Sequence, residues 1–521
     1  MHDDDGVARR SQPLVIDAPS LWELVERRAA ATPDALFAVD ERDRRLSFAE
    51  FRAAAERVAA ALCARGVSED TPVAWQLPTT FEALVLCAAL ARLGAVQVPI
   101  LPILRAREVG FAVRQTGARR LFVPDMFRGF DYAAMARAIA ADLPALDVEV
   151  VAGGLPEADP AGLPALPPAS IAAATVRWIF YTSGTTAEPK GARHTDATLL
   201  AAARGMSARL ELAPDDRVGL VFPVTHVGGV LWLMNGLLAG CAQIAVATFD
   251  ARSSIDVLAR HGVTQAGAGT AFHQAYLAAQ RERGGAPIFP RVRAFPGGGA
   301  PKPPKLHDAV KRELGGAGIV SGYGMTECPV LAMGSPRDPD AKLAHTEGRA
   351  CPPEVEIRVV DGEIRVRAPQ LFCGYLDARL DAEAFDADGF FRTGDLGHLD
   401  ADGYVIVSGR LKDVIIRKGE NISARELEDL LHAHPAVREV AVIGLPDPVT
   451  GERACAVVVP ADPQTPPTLA ELAAWLIARD LSKQKLPEQL ALVAELPRNP
   501  TGKVLKQELR ERLGQERTTA R

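Results

Sequence analysis

The sequence predicts an α/β protein: a large N-terminal domain of helix-covered sheets with a small barrel-like β region, followed by a small α+β domain. Three observations carry this. The first half alternates helical stretches with short apolar runs, the texture of parallel sheets covered by helices. From residue 354 onward short alternating strands surround tight turns. After Arg410 a compact strand–helix–strand module follows. A chain of 521 residues also exceeds what one compact core usually holds. The boundary is expected near Arg410–Lys412, dividing the chain into residues 1–410 and 411–521.

The elements follow in order. Leu21–Ala31 is amphipathic with helical spacing. Ser47-Phe48-Ala49-Glu50 is a capping box that opens a second helix to about Ala64. Residues 73–77 and 95–100 are expected as strands, with a helix over 80–93 between them. Residues 152–169, rich in Pro, Gly and Ala, form a surface connection. Residues 218–249 carry no charge and are long enough on paper to span a bilayer. Pro223, His226, Gly228-Gly229, Asn235 and Gly240 interrupt them, and no basic bias flanks them. The expectation is therefore a buried strand, a functional turn around His226, a buried helix and another strand, with no transmembrane segment. Residues 355–360 and 363–367 alternate around the Asp361-Gly362 turn, and 405–409 closes that region. In the last module 414–417 and 440–444 are strand-like, and 424–433 and 469–478 helical.

Composition narrows the function. Hydrophobic content of 48% and charged content of 24% suit a soluble globular protein, and a net charge of −6 argues against general nucleic-acid binding. The seven cysteines form no CxxC pair, which fits free thiols in a reducing compartment. The start, MHDDDG, is the opposite of a signal peptide, and the end is not a peroxisomal signal. A cytoplasmic location is expected. Lysine is scarce, 11 against 48 arginines, with none before Lys190. Each lysine, a compact point charge that arginine does not replace, therefore draws attention.

The most informative stretch is Tyr181 to Gly191, YTSGTTAEPKG. A strand-like run over 176–181 opens into a turn holding Thr182, Ser183, Gly184, Thr185, Thr186 and Lys190. Backbone N–H groups of such a turn bind phosphate oxygens, the hydroxyls add donors and the lysine adds a cation. Neither GxxxxGK[ST] nor a complete GxGxxG occurs in the chain, so the usual P-loop and dinucleotide fingerprints are excluded.

These eleven residues resemble the signature phosphate loop of the adenylate-forming superfamily: acyl-CoA ligases, adenylation domains of peptide synthetases, and luciferases. Ala187 departs from it, standing where the pattern usually has glycine. The resemblance extends along the chain in the family's order. Phe222 to Gly229 is similar to the segment beside the acyl pocket. Gly297-Gly298-Gly299-Ala300 is similar to the wall against adenine and carboxylate. Gly322-Tyr323-Gly324-Met325-Thr326-Glu327 resembles GYGMTE, and Thr393-Gly394-Asp395 resembles TGD. Gly409 to Asp413 resembles the ribose arginine and hinge, residues 417–422 the loop that lines the pantetheine tunnel, and Pro500-Thr501-Gly502-Lys503 the tail motif. Taken singly each has a plainer explanation: a core histidine, a turn aspartate, a solvated tail lysine. Their joint order carries the resemblance.

The resemblance implies ATP, Mg²⁺ and CoA, and a small-molecule carboxylic acid as substrate. The ATP site comprises Thr182, Ser183, Gly184, Thr185, Thr186, Lys190, Gly299, Ala300, Gly322, Tyr323, Gly324, Thr326, Asp395, Arg410 and Lys503. Lys503, Glu327, His226 and Thr186 are the expected catalytic residues, and Glu327 the expected metal ligand. The acyl pocket is expected at His226, Val227, Gly228, Gly267, Gly269, Gly298 and Val330. Lys412 is the expected hinge of a mobile C-terminal domain. Lys418, Gly419 and Glu420 are expected at the CoA tunnel. Thr225-His226 occupies the place where amino-acid-activating relatives pair an aspartate with the substrate amine, so an acid without an α-amino group is favoured. Residues 102–105 through 123–130 look like medium-chain fatty acid and cyclohexanecarboxylate CoA ligases. Alternatives are an acyl carrier protein as acceptor, or a degenerate homologue that only binds a nucleotide or acyl group.

Overall fold

A computed structural model describes residues 15–166, 174–182, 189–299, 302–352, 354–417, 420–447, 450–479, 481–499 and 502–515. The N-terminal half is built on two sheets. In the first the order is Lys190–Thr195, Val176–Thr182, Val96–Pro99, Pro72–Trp75, Arg120–Pro124 and Asp147–Val151. All are parallel except the edge strand Lys190–Thr195, which pairs antiparallel with Val176–Thr182. The second runs Arg45–Ser47, Leu36–Asp40, Ala242–Ala245, Arg217–Leu220. Parallel bridges at Gln265 and Ala268 continue it to Phe295–Gly298 and Ile319–Tyr323. The predicted parallel, helix-covered architecture is present.

The helices Phe48–Ala64, Phe81–Leu93 and Val227–Ala239 fill the space between these sheets. Ser47 and Glu50 make the predicted capping box: the Glu50 N–H donates to Ser47 Oγ at 3.2 Å, and the Ser47 N–H to Glu50 Oε2 at 2.7 Å. The uncharged stretch 218–249 becomes the strand Arg217–Leu220, a turn, the helix Val227–Ala239 and the strand Ala242–Ala245, as its interruptions predict. That helix is buried on nearly every side, which explains its lack of charge. Among the described residues no helix is long and apolar enough to cross a membrane.

The region after residue 354 is a four-stranded antiparallel meander, Glu356–Val360, Glu363–Arg367, Phe391–Leu399 and Val405–Arg410. The turn Leu411–Asp413 then leads to a small C-terminal α+β domain. Its sheet holds Glu420–Ser423, Val414–Arg417, Gly451–Pro460 and Val437–Asp447, with Gln489–Leu492 beside Gly451–Pro460. The two apolar cores of this domain draw only on residues from Ile415 onward. The strand expected at 440–444 runs from Val437 to Asp447, because its hairpin partner Gly451–Pro460 continues pairing past Pro446.

Candidate active site

The C-terminal ends of the parallel strands converge, the usual location for a ligand crevice in open α/β sheets. Gly297 and Gly298 pair with Ser321 and Gly322, so two glycine motifs distant in sequence lie side by side. The approach is close: a Cβ on Gly298 would stand 2.6 Å from the Gly322 carbonyl oxygen. Gly298→Ala is therefore expected to push these strands apart and cost about 1–3 kcal/mol, as overpacking does. Urea titration of the variant against the parent checks this. Gly299 follows at φ +76, a left-handed conformation that glycine adopts without strain.

Tyr323 ends its strand buried, and its hydroxyl donates to Asp395 Oδ2 at 2.9 Å. Asp395, 4% exposed, sits opposite Arg410 in the meander and pairs with its Nε at 2.9 Å. Gly394, at φ +68, donates its N–H to Glu363 Oε1 at 3.2 Å, and Thr393 donates to the Ile364 carbonyl at 2.6 Å. The TGD motif is thus clamped from both ends, which fixes the Asp395 carboxylate.

Lys503 comes to this cluster from the small domain. Gly502 lies against Ala271 of the helix Thr270–Arg283, where an added Cβ would meet the Ala271 Cβ at 3.3 Å. Burial, then Arg410 and Lys412, push the Lys503 ammonium down to about 8, while Asp395 and Asp413 pull it back up. Lys412 is lowered by burial first, then by Arg410, with Lys190 contributing. Among the described residues no carboxylate pairs with Lys190, Lys412 or Lys503 within 4 Å. Within the described residues, three lysines without a carboxylate partner beside an arginine paired with Asp395 form a concentrated positive field suited to a polyanion.

Glu327 accepts a hydrogen bond from Tyr375 at 2.7 Å, and its backbone carbonyl accepts from Phe372 N–H at 2.8 Å. The Lys190 ammonium lies 5.3 Å from the centre of the Tyr375 ring. One residue earlier, the Thr326 carbonyl meets His194 Nε2 at 2.8 Å. A carbonyl only accepts, so His194 carries its proton on Nε2. Burial pulls this histidine down to about 4, keeping it neutral. His194 and Tyr375 thus tie the GMTE segment to the strand Lys190–Thr195. No motif contains either residue; their role arises from contacts 132 and 48 residues away in sequence.

His226 caps the helix Val227–Ala239, its Nδ1 accepting the Gly228 N–H at 3.0 Å. That bond leaves the proton on Nε2, and burial lowers the imidazole to about 4. The pair Gly228-Gly229 has a packing reason: a Cβ on Gly229 would lie 2.2 Å from the Pro223 carbonyl. His226, Val227, Thr225 and Thr326 line a cavity closed by Ile100, Leu101, Leu104, Ala112 and Phe180, with Glu108 and Tyr181 also on its wall. The other residues expected at an acyl pocket do not line this cavity. Gly228 holds His226. Gly267 accepts from the Tyr276 hydroxyl at 2.6 Å, Gly269 precedes the helix Thr270–Arg283, and Gly298 packs on Gly322. Val330 adopts φ +46, a strained conformation for a β-branched residue, immediately beside Gly324, where a Cβ would stand 2.3 Å from the Val330 nitrogen.

Thr182 ends the strand Val176–Thr182, paired with Lys190. Ser183, Gly184, Thr185, Thr186, Ala187, Ala300, Lys418 and Gly419 lie outside the described residues. Glu420 begins the strand Glu420–Ser423.

Comparison with known proteins identifies the family. The family model for the AMP-binding enzyme matches residues 25–376, and that for the AMP-binding enzyme C-terminal domain matches residues 426–503. The salicyl-AMP ligase / salicyl-S-ArCP synthetase of Mycobacterium tuberculosis is 34% identical, covering 92% of this chain and 88% of its own length. The medium-chain fatty-acid–CoA ligase of Escherichia coli is 31% identical, covering 96% of this chain and 91% of its own. Among solved structures, ATP-bound MatB from Rhodopseudomonas palustris aligns with a TM-score of 0.82 at 28% identity, over 96% of this chain and 99% of that one. With both parts of the chain matched and the relatives spanning nearly all of it, the chain belongs to the AMP-binding enzymes of the adenylate-forming superfamily.

Proposed function

We propose that the protein activates a medium-chain fatty or alicyclic carboxylic acid as acyl-AMP, releasing pyrophosphate, and then transfers the acyl group to CoA. The observation that carries this is the arrival of Lys503, from the small domain, at the Tyr323–Asp395–Arg410 cluster of the large one. Carboxylate and α-phosphate repel each other, so their reaction needs cations placed beforehand where charge concentrates. Lys503 bridges the two anions, Arg410 and Asp395 grip the ribose, Tyr323 lies against the base, and Lys190 with the 183–188 loop holds the leaving pyrophosphate.

Among the described residues no group of three or more acidic, histidine or cysteine side chains forms a metal cage. That fits Mg²⁺ carried by nucleotide phosphates, which needs only one or two protein carboxylates. Glu327, oriented by Tyr375, would hold it, and the ion would offset phosphate charge. The apolar wall of Ile100, Leu101, Leu104 and Phe180 suits an acid with a hydrocarbon body, with His226 at its polar end. Thioester formation requires the lysine to leave. Lys412, in the turn Leu411–Asp413 that opens residues 411–521, would absorb the rotation of the small domain. Lys418, Gly419 and Glu420 would then face the pantetheine.

A carrier-protein pantetheine is the alternative acceptor, supported by the relative whose name includes salicyl-S-ArCP synthetase. Pyrophosphate release measured across fatty, alicyclic and aryl acids, with and without CoA, separates the two. Medium-chain or alicyclic acids are expected to give the highest kcat/KM, with acyl-CoA formed from free CoA. Turnover with salicylate alone would overturn the substrate, and absence of acyl-CoA would overturn the acceptor.

The lysine also sets a pH dependence. A group held at about 8 is protonated below that value and loses its charge above it. The kcat/KM for ATP in adenylation is expected to fall as pH rises through about 8. Lys503→Arg, which stays charged, loses this alkaline limb while starting from a lower rate because its geometry differs. Initial rates between pH 6 and 10 test both statements.

A further inference from the structure

We infer that Tyr375 is a positioning residue for the metal–nucleotide complex, its hydroxyl fixing the Glu327 carboxylate and its ring seating the Lys190 ammonium. This rests on the proposed ATP-dependent activation, and takes it to a residue outside the motifs that suggested it.

Three independent contacts place the ring. Its backbone is held against the strand Lys190–Thr195: Tyr375 bridges Ala192, Leu376 N–H donates to the Gly191 carbonyl at 2.7 Å, and Arg193 N–H donates to the Gly374 carbonyl at 3.1 Å. Its own N–H donates to Asp381 Oδ1 at 2.8 Å. Its ring packs edge-on against Phe372 at 4.8 Å, and Phe372 N–H in turn holds the Glu327 carbonyl. Tyr375 is 5% exposed, so the ring has little freedom.

The polar contacts follow from that placement. A carboxylate offers only acceptors, so the phenol donates to Glu327 Oε1. A charge-assisted bond of this kind restricts the carboxylate to one rotamer and leaves its second oxygen to face elsewhere. The ring face attracts the lysine ammonium. One side chain therefore sets two charges of opposite sign, the carboxylate expected to hold Mg²⁺ and the cation expected at the leaving phosphates. Both partners come from motifs, and Tyr375 is the physical link between them.

The test uses the full-length protein, with Mn²⁺ as a paramagnetic probe. Mn²⁺ binding to the enzyme–ATP complex is titrated by electron paramagnetic resonance, and metal-free ATP binding by calorimetry. Tyr375→Phe keeps the ring and removes the hydroxyl. It is expected to weaken Mn²⁺ binding about tenfold, the usual loss for a hydrogen bond to a charged group, with metal-free ATP binding unchanged. Tyr375→Leu removes both contacts and is expected to weaken both. In a Glu327→Gln background Tyr375→Phe should have no further effect on Mn²⁺ binding, which also covers the case where the single variant is poorly folded. If the parent binds Mn²⁺ and ATP together and a folded Tyr375→Phe matches it within twofold, the inference fails while the activation reading stands. If the effect persists unchanged in the Glu327→Gln background, Tyr375 acts through general packing and the inference also fails. If the parent binds no Mn²⁺ with ATP, the activation reading itself is wrong.

Discussion

Lys503→Ala is expected to lower adenylate formation on the order of 100-fold or more while leaving thioester formation from supplied acyl-AMP close to the parent rate. Removing one preorganised charge at a site of developing negative charge has effects of this size. The split between half-reactions is the diagnostic part. Lys503 reaches Asp395 and Arg410 only because the small domain delivers the turn around Gly502 to the helix Thr270–Arg283. On the proposed two-step reaction, a residue delivered this way would be needed for the first step and would leave for the second. Pyrophosphate exchange reports the first half-reaction, and AMP release from synthetic acyl-AMP with CoA reports the second. A purely structural lysine would slow both equally, and a melting curve of the variant separates that case from unfolding.

Asp395→Ala is the second large effect. Its buried carboxylate accepts from the Tyr323 hydroxyl and pairs with Arg410, each at 2.9 Å. Deletion leaves a buried phenol and a half-buried guanidinium facing each other without their shared acceptor. ATP affinity is expected to fall on the order of 10- to 100-fold, the range for losing hydrogen bonds to a charged group. Asp395→Asn keeps an acceptor for Tyr323 but removes the charge, and should lose less. Calorimetric titration with ATP distinguishes the variants. Equal affinity for ATP in Asp395→Ala and the parent would remove Asp395 from the nucleotide site.

The parts of this site that are local in sequence are legible in it. Strand Val176–Thr182 entering the phosphate loop, the capping box at Ser47, and the turn before the helix Val227–Ala239 all follow from neighbours within a few residues. The antiparallel region after residue 354 is legible because its short strands alternate around tight turns. Contacts made by folding are not. The pairing of Gly298 with Gly322 depends on two strands meeting across the helix Pro304–Leu314, which the sequence patterns do not mark. Nothing local in the sequence marks His194 or Tyr375, and only the return of the strand Lys190–Thr195 beside residues 373–376 brings them to Thr326 and Glu327. His226 shows the middle case: its motif is visible, but its use as a helix cap is not, since histidine is not among the preferred capping residues.

The central claim is that an acid attacks ATP at its α-phosphorus. The most direct measurement is phosphorus nuclear magnetic resonance of ATP, Mg²⁺ and enzyme with octanoate or cyclohexanecarboxylate, without CoA, backed by mass spectrometry of the enzyme-bound product. Acid-dependent appearance of pyrophosphate together with acyl-AMP is the expected result. Release of ADP and inorganic phosphate, or pyrophosphate formed at the same rate without any acid, would contradict the account.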